Sequence, residues 1–175
     1  MQRSQPAKNP DTTEPSEVTS EHAVVPIARL LIVADVAAAD VDDLPPRVRA
    51  VIDAAEEIYV VTPALPGRLA WLANATDGAH HVADERLDIV LGHVRSLHAH
   101  ATGETSDESA SALTAFADAV AGFDPDHILI ALRSAEHADW QERGLIGKVT
   151  RRFDLPMTIF DLDREGHVPT TSTAD

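Results

Sequence analysis

The sequence predicts an α/β fold in which an open, five-stranded parallel sheet carries helices on both faces. Short, continuous runs of apolar residues recur along the chain, and such runs are typical of strands that are covered on both faces. Segments with apolar residues at helical spacing lie between these runs. The resulting order, β-α-β-α-β-α-β-α-β, favours parallel strands that are connected through helices.

The apolar runs place the strands. Four of them are Arg29–Ala34, Ile58–Val61, His127–Leu132 and Pro156–Phe160. A further strand is expected within Ala99–Glu104, where it completes the alternation of strands and helices. It becomes the third strand in chain order.

Helical periodicity predicts the connections between the strands. Pro45 and Pro46 open the first helix, because proline is tolerated in a first helical turn. A short helical stretch is expected over Leu65–Leu72, and the longest helix over Ala83–His98, where the apolar residues form one stripe.

Two more helices complete the pattern. One covers Leu113–Val120, with Ser106 or Asp107 as its expected cap and Gly122 as its expected end. The other carries the apolar residues of the segment Leu145–Phe153.

The domain boundaries follow from composition. Residues 1–25 are rich in proline and polar side chains and contain too few apolar residues to offset the entropy of ordering. We therefore predict a disordered tail over 1–25, one folded domain over 26–163 and a flexible C-terminal tail over 164–175.

Charge and composition exclude several classes of function. The chain has 29 acidic against 14 basic residues, a formal net charge of −15, so we expect no binding to nucleic acid. It contains no cysteine, which excludes disulfides and thiol catalysis. The polar N-terminal stretch lacks the apolar core of a signal peptide, and no apolar run is long enough for a membrane span, so we expect a cytoplasmic location and no membrane contact.

Two stretches of the sequence resemble the universal stress protein family. Phe123–Ala131 is similar to the acidic lead-in and fourth strand of that family, and Gly144–Phe160 is similar to its closing helix and proline-led strand. Ala83–Leu87 resembles the long second helix of actinobacterial members. The resemblance covers most of Ile27–Asp163 and implies a Rossmann-type fold like that of the adenine-nucleotide α-hydrolases. It also implies a non-enzymatic role in regulation or stress response, with no catalytic residues.

The phosphate loop of the nucleotide-binding members is largely replaced. Their motif, Gly-x2-Gly-x9-Gly followed by Ser or Thr, brings backbone N–H groups and a hydroxyl to the phosphates. By this resemblance the motif positions fall on Ala131, Ser134, Gly144 and Leu145, of which Gly144 alone matches. The replacements add a Cβ at two glycine positions and remove the hydroxyl at the fourth.

The loop between these positions is acidic. Glu136, Asp139 and Glu142 outnumber Arg133 and Arg143, and carboxylates repel phosphates at short range. We therefore expect that the chain does not bind ATP tightly and that it needs no cofactor.

A residual small-molecule pocket is the alternative. Asp35 follows the first strand and matches the acidic residue that the family places near adenine and ribose. In an open α/β sheet that end of the strand lies where ligands bind. The candidate ligand-binding residues are Asp35, Val36, Thr62, Arg133, Ser134 and Gly144. A nucleotide- or small-ligand-binding protein with a divergent phosphate loop thus stays open as a second function.

Metal, phosphorelay and hydrolase sites are not supported by the sequence. The histidines at 93, 98 and 100 lack the spacing that places two ligands on one helical face, so no metal site is predicted. A phospho-receiver domain would need a lysine after its last strand, and the only lysines are Lys8 and Lys148. No Gly-x-Ser-x-Gly elbow is present for a hydrolase.

The apolar character of the last strand indicates that it pairs with a partner chain. The segment Met157–Phe160 forms an apolar edge that needs a cover. In universal stress proteins this strand commonly pairs across a dimer, so the resemblance implies a homodimer through the last strand. A further protein partner is compatible with the same role.

Overall fold

The computed structural model describes residues 26–63, 77–98, 100–106, 112–134, 140–163 and 165–169. The strands are β1 (Ile27–Ala34), β2 (Ala55–Thr62), β3 (Ala101–Thr105), β4 (His127–Arg133) and β5 (Met157–Leu162). The α-helices are α1 (Pro46–Asp53), α2 (Asp77–Leu97), α3 (Ala112–Phe123) and α4 (Trp140–Arg152), and a short 3-10 helix precedes α1 at Val41–Asp43.

The five strands form one parallel sheet in the order β3-β2-β1-β4-β5. The register sets Leu31 of β1 beside Tyr59 of β2 and Ile128 of β4. The predicted fold class is therefore confirmed. Its apolar strands follow from position, because β1, β2 and β4 each have a neighbour on both sides and helices on both faces.

Each face of the sheet has its own core. On one face Val48 and Ile52 of α1 and Val90 and Val94 of α2 pack on residues such as Leu30. On the other face Phe116 of α3 and Val149 of α4 pack on residues such as Leu31 and Ile128. Leu30, Leu31 and Ile128 have no exposed surface, as expected for alternate side chains of strands that are buried on both faces.

Several helix boundaries differ from the predictions, and the helix α4 begins at Trp140, five residues before the predicted Leu145. The helix α2 begins at Asp77, six residues before the predicted Ala83, since the preceding residues lack the apolar spacing on which the prediction rested. The helix α3 does not end at Gly122 but continues through Phe123, and Asp124 takes the left-handed conformation (φ 52°) instead. Aspartate tolerates this conformation, and the extra residue buries Phe123.

The expected third strand is present over Ala101–Thr105, so it begins two residues later and ends one residue later than predicted. Ser106, a predicted cap of α3, lies at the end of β3 instead, where its N–H donates to the Thr62 carbonyl at 3.2 Å. The other predicted cap, Asp107, the predicted helical stretch Leu65–Leu72 and the predicted tail over 1–25 lie outside the described residues. Of the helices in the described part of the chain, none combines the length and apolar character that crossing a membrane requires.

Candidate functional site

The candidate site lies where the sheet changes direction. The chain leaves β1 towards β2 and leaves β4 towards β5, so the connections diverge on either side of the β1–β4 pair. A crevice forms at the carboxyl ends of such a pair, and ligands of open α/β sheets bind there. Ala34 pairs with Ala131 at this end, and the next N–H, that of Asp35, donates to the Ala131 carbonyl at 3.1 Å.

Asp35 lies between two arginines. Its Oδ1 is 3.6 Å from Nη1 of Arg86, and its Oδ2 is 3.5 Å from Nη2 of Arg133. The side chains of Asp35 and Arg86 are 11% and 14% exposed, whereas that of Arg133 is 32% exposed. One carboxylate thus contacts two guanidinium groups at this end of the sheet.

Sequence reasoning missed Arg86. It belongs to α2, and its Nη1 also donates to the Pro63 carbonyl at 3.3 Å, just after β2. The arginine therefore connects the end of β2 with the end of β1. Its place in the sequence, within a helix whose predicted face was apolar, carries no signal for this contact, because the rotation of α2 about its axis is set by tertiary packing.

Thr62 positions α2 and does not face the crevice. The Thr62 side chain is fully buried, and its hydroxyl donates to the Ala83 carbonyl at 3.0 Å. The neighbouring Thr105 hydroxyl lies 3.4 Å away and donates to Oδ1 of Asp84 at 2.6 Å. These bonds attach the first half of α2 to the ends of β2 and β3, one turn from Arg86.

The remaining predicted residues occupy three different environments. Ser134 is buried, and its N–H donates to the Leu162 carbonyl of β5 at 2.6 Å. Gly144 is exposed and lies inside α4, which begins at Trp140. Val36 is buried in the core on the α1 and α2 face. The structure therefore joins Asp35 and Arg133 directly. Two acidic residues of the predicted loop, Glu136 and Asp139, lie outside the described residues.

An apolar cavity lies beside the site, under α1 and α2. It has a volume of about 40 Å³, and its walls include Val36, Ala131 and Phe160, with His93 contributing an imidazole. Typical small-molecule sites are roughly 300–1,000 Å³, so this cavity is far too small for a nucleotide.

The residues after β5 fold back onto the loop that follows Asp35. Gly166 (φ 88°) is buried against that loop, and a Cβ on it would lie 2.5 Å from the Ala37 carbonyl oxygen. The Ala39 N–H donates to the Gly166 carbonyl at 3.0 Å, and Nδ1 of His167 lies 3.0 Å from Oδ2 of Asp43. This C-terminal turn, defined by residues 163 and 165–167, begins at the predicted domain boundary and holds the start of the β1–α1 connection.

Metal binding has no support from the described side chains. No group of three or more histidine, aspartate or glutamate residues that could hold an ion occurs among them. His98 and His100 form an edge-to-face ring pair with 6.3 Å between centroids.

Comparison with known proteins finds similarity in structure alone. No protein-family model matches the sequence, and no curated protein matches it. Among solved structures the chain is similar to a universal stress protein from Archaeoglobus fulgidus, with 18% identity, coverage of 76% of this chain and 93% of that chain, and a TM-score of 0.49.

Two further solved structures have the same kind of similarity. One is a hypothetical protein, with 13% identity, coverage of 81% and 98%, and a TM-score of 0.48. The other is a universal stress protein in complex with cAMP, with 10% identity, coverage of 78% and 98%, and a TM-score of 0.42. Two of these three proteins belong to the family that the sequence resembles. Identities this low concern the fold, and the fold itself is established by the strand order and register.

Proposed function

We propose that this chain is a cytoplasmic, non-enzymatic regulatory protein of the universal stress type that does not bind ATP tightly. The observation that carries the proposal is the pairing of Asp35 with Arg86 and Arg133 at the switch point of the sheet. The resemblance places Asp35 where nucleotide-binding members contact adenine and ribose. Here that carboxylate is engaged within the chain.

A nucleotide would have to compete with these ion pairs. Asp35 and Arg86 are mostly buried, and separating a buried carboxylate from its partner leaves a charge that water does not solvate. Contacts to a neutral sugar or base compensate for such a charge only weakly. The two ion pairs therefore support a site in which the charge of Asp35 is compensated without a nucleotide.

The backbone groups on the phosphate side support the same conclusion. The Ser134 N–H, at the second motif position, donates to the sheet through Leu162. Gly144 lies four residues after the first residue of α4, so its N–H belongs to the ladder of the helix and not to the free N–H groups of its first turn. Two donors that the family directs at phosphate are thus used internally.

Calorimetric titration of the full chain with ATP and Mg²⁺ tests this proposal. We expect no saturable binding at micromolar ligand. The matched variant is Asp35→Asn, which removes the carboxylate and leaves both arginines. We expect it to bind the triphosphate of ATP more tightly than the wild type does, because the Asp35 carboxylate then no longer competes with phosphate for Arg133 and Arg86. A micromolar dissociation constant for the wild type would contradict the proposal.

A second candidate function is the binding of a small anionic ligand, and one observation favours it. Oδ2 of Asp35 is buried and accepts no hydrogen bond from the described residues, while the neighbouring Arg133 keeps 32% of its side chain exposed. A ligand with an anionic group for Arg133 and an N–H donor for Asp35 would satisfy both.

Thermal shift measurements distinguish the two functions. ATP, cAMP and inorganic phosphate are added separately to the wild type and to Arg133→Ala. A rise in melting temperature with any of the three in the wild type, lost in the variant, supports the ligand-binding function. Equal curves with and without all three ligands in both proteins support the first proposal.

We further propose that two copies of the chain associate through β5. The strand forms one edge of the sheet, and Met157 and Ile159 on it are half-buried within one copy. An exposed strand edge is a template for pairing with another chain. Sedimentation velocity over micromolar concentrations measures the association, and a monomer throughout that range would contradict it.

A further inference from the structure

On each edge of the sheet an arginine side chain donates a hydrogen bond to a backbone carbonyl that faces away from the neighbouring strand. The strands β3 and β5 are its two edges among the described strands. Nη2 of Arg47, in the first turn of α1, donates to the Ile159 carbonyl of β5 at 3.3 Å. Nε of Arg95, near the end of α2, donates to the Ala101 carbonyl of β3 at 3.0 Å.

The hydrogen bonds of the sheet establish that the Ile159 carbonyl faces away from β4. The carbonyls of Pro156 and Leu162 accept hydrogen bonds from the β4 side, through the N–H groups of Ile128 and Ser134. Backbone groups alternate in direction along a strand, so residues 157, 159 and 161 direct their N–H and C=O groups outward. Ile159 is the middle one of these three residues.

This position matters for pairing with a second copy. A two-fold axis makes two β5 strands antiparallel, and centring them on Ile159 makes that residue its own partner. In that arrangement each Ile159 carbonyl accepts a hydrogen bond from the Ile159 N–H of the other copy. The atom that Arg47 contacts is therefore the central acceptor of the expected intermolecular ladder.

We propose that Arg47 blocks the β5 edge. While its side chain is bonded to the Ile159 carbonyl, it weakens the association of two copies of this chain. The inference rests on the proposed pairing through β5. A guanidinium group on the carbonyl competes with the N–H group of an incoming strand. Arg47 is exposed and long, so it can leave the carbonyl without any change in the core. Charged side chains on edge strands are a known means of preventing unwanted pairing.

Arg47→Ala tests whether Arg47 blocks the β5 edge, and Arg95→Ala is the matched control. Both variants remove one exposed arginine that donates to an outward carbonyl of an edge strand, so both change the net charge equally. Sedimentation equilibrium of the full chain gives the dimer dissociation constant for each variant and for the wild type. We expect it to be about three- to tenfold lower for Arg47→Ala, the size of the effect of one hydrogen bond, and unchanged for Arg95→Ala.

A double variant, Arg47→Ala with Ile159→Pro, tests whether the tighter association of Arg47→Ala occurs through β5. Proline removes the outward N–H of residue 159, and edge strands tolerate proline where the N–H faces solvent. We expect the double variant to lose the tighter association. If the double variant keeps the tighter association, the two copies contact each other elsewhere, and the inference about Arg47 is overturned.

The remaining outcomes separate the two proposals. If the wild type dimerises and Arg47→Ala dimerises no more tightly than Arg95→Ala, the inference about Arg47 is overturned and the pairing through β5 stands. If the wild type is monomeric and Arg47→Ala dimerises, the wild-type dimer is contradicted and the effect of Arg47 on the β5 edge stands. If both proteins are monomeric at the highest concentration, both proposals are overturned.

Discussion

Arg86 and Arg133 both contact Asp35, but burial distinguishes their contributions to stability. The side chain of Arg86 is 14% exposed and that of Arg133 is 32% exposed. Arg86 also donates to the Pro63 carbonyl. Ion pairs that water reaches contribute little, whereas removal of a buried partner leaves a desolvated charge.

We predict that Arg86→Ala lowers the free energy of unfolding by about 2 kcal/mol, because Asp35 keeps one partner, the more exposed one. Arg133→Ala is the matched control, with an expected loss of about 1 kcal/mol or less. Urea denaturation of both variants measures the difference. Equal losses would show that the two ion pairs are equivalent and that burial does not decide between them.

The acidity of Tyr59 is lowered by its surroundings in the folded chain. Burial, the hydrogen bond with Glu104 and the negative charge of that carboxylate together raise the pKa of its hydroxyl from 10.0 to about 12, with burial as the largest cause. The ring stacks on Phe123, with centroids 5.2 Å apart. The folded chain therefore keeps this proton at a pH at which the unfolded chain has lost it.

We predict that the free energy of unfolding falls as pH rises from about 10 to about 12. Because the pKa is raised on folding, the contribution of Tyr59 is complete below 10 and disappears as pH passes through the folded-state value. In Tyr59→Phe this part of the pH dependence should be absent. Chemical denaturation at pH 9, 10 and 11 measures both curves, and identical slopes for the two proteins would contradict the prediction.

At the scale of elements, the C-terminal turn and the β1–α1 connection act as one unit. Gly166 is buried with a φ of 88°, and the backbone of Ala37–Ala39 leaves no room for a Cβ on it. The His167–Asp43 contact continues the interface towards the 3-10 helix. The loop next to Asp35 is thus held by residues that follow β5.

We predict that Gly166→Ala destabilises the chain by about 2 kcal/mol and increases amide exchange over residues 36–44, because both the conformation and the space favour glycine. The control is Gly122→Ala in α3, where an added Cβ meets nothing within 4 Å. There alanine should stabilise by about 0.5–1 kcal/mol. Unchanged exchange over 36–44 in folded Gly166→Ala would show that the turn does not hold the loop.

Charge acts on the molecule as a whole. With a formal net charge of −15, two copies of the chain repel each other at long range.

We therefore predict that the proposed dimer becomes tighter as salt increases from about 50 to 300 mM, since screening shortens the range of the repulsion. Sedimentation equilibrium at several salt concentrations measures the trend. A dimer that weakens with salt would indicate that attractive ion pairs dominate the interface.

The sequence determined the fold class and the order of its elements. Runs such as Ile58–Val61 mark buried strands because each strand of a parallel sheet needs apolar side chains on both faces, a requirement that can be read locally. It also identified Asp35 and Arg133 as residues at the carboxyl ends of two strands, which the parallel order brings together. Helix ends were less predictable, since the first turns of α2 carry no apolar stripe.

Only the tertiary structure decided what surrounds Asp35 and the sheet edges. The contacts of Arg86 with Asp35, of Gly166 with Ala39 and of Arg47 with Ile159 join residues that are 51, 127 and 112 positions apart in the sequence. None has a local pattern, because each depends on how a helix is rotated or where a chain end returns. Periodicity reports whether a side chain is buried, but its partner is chosen by packing across the whole molecule.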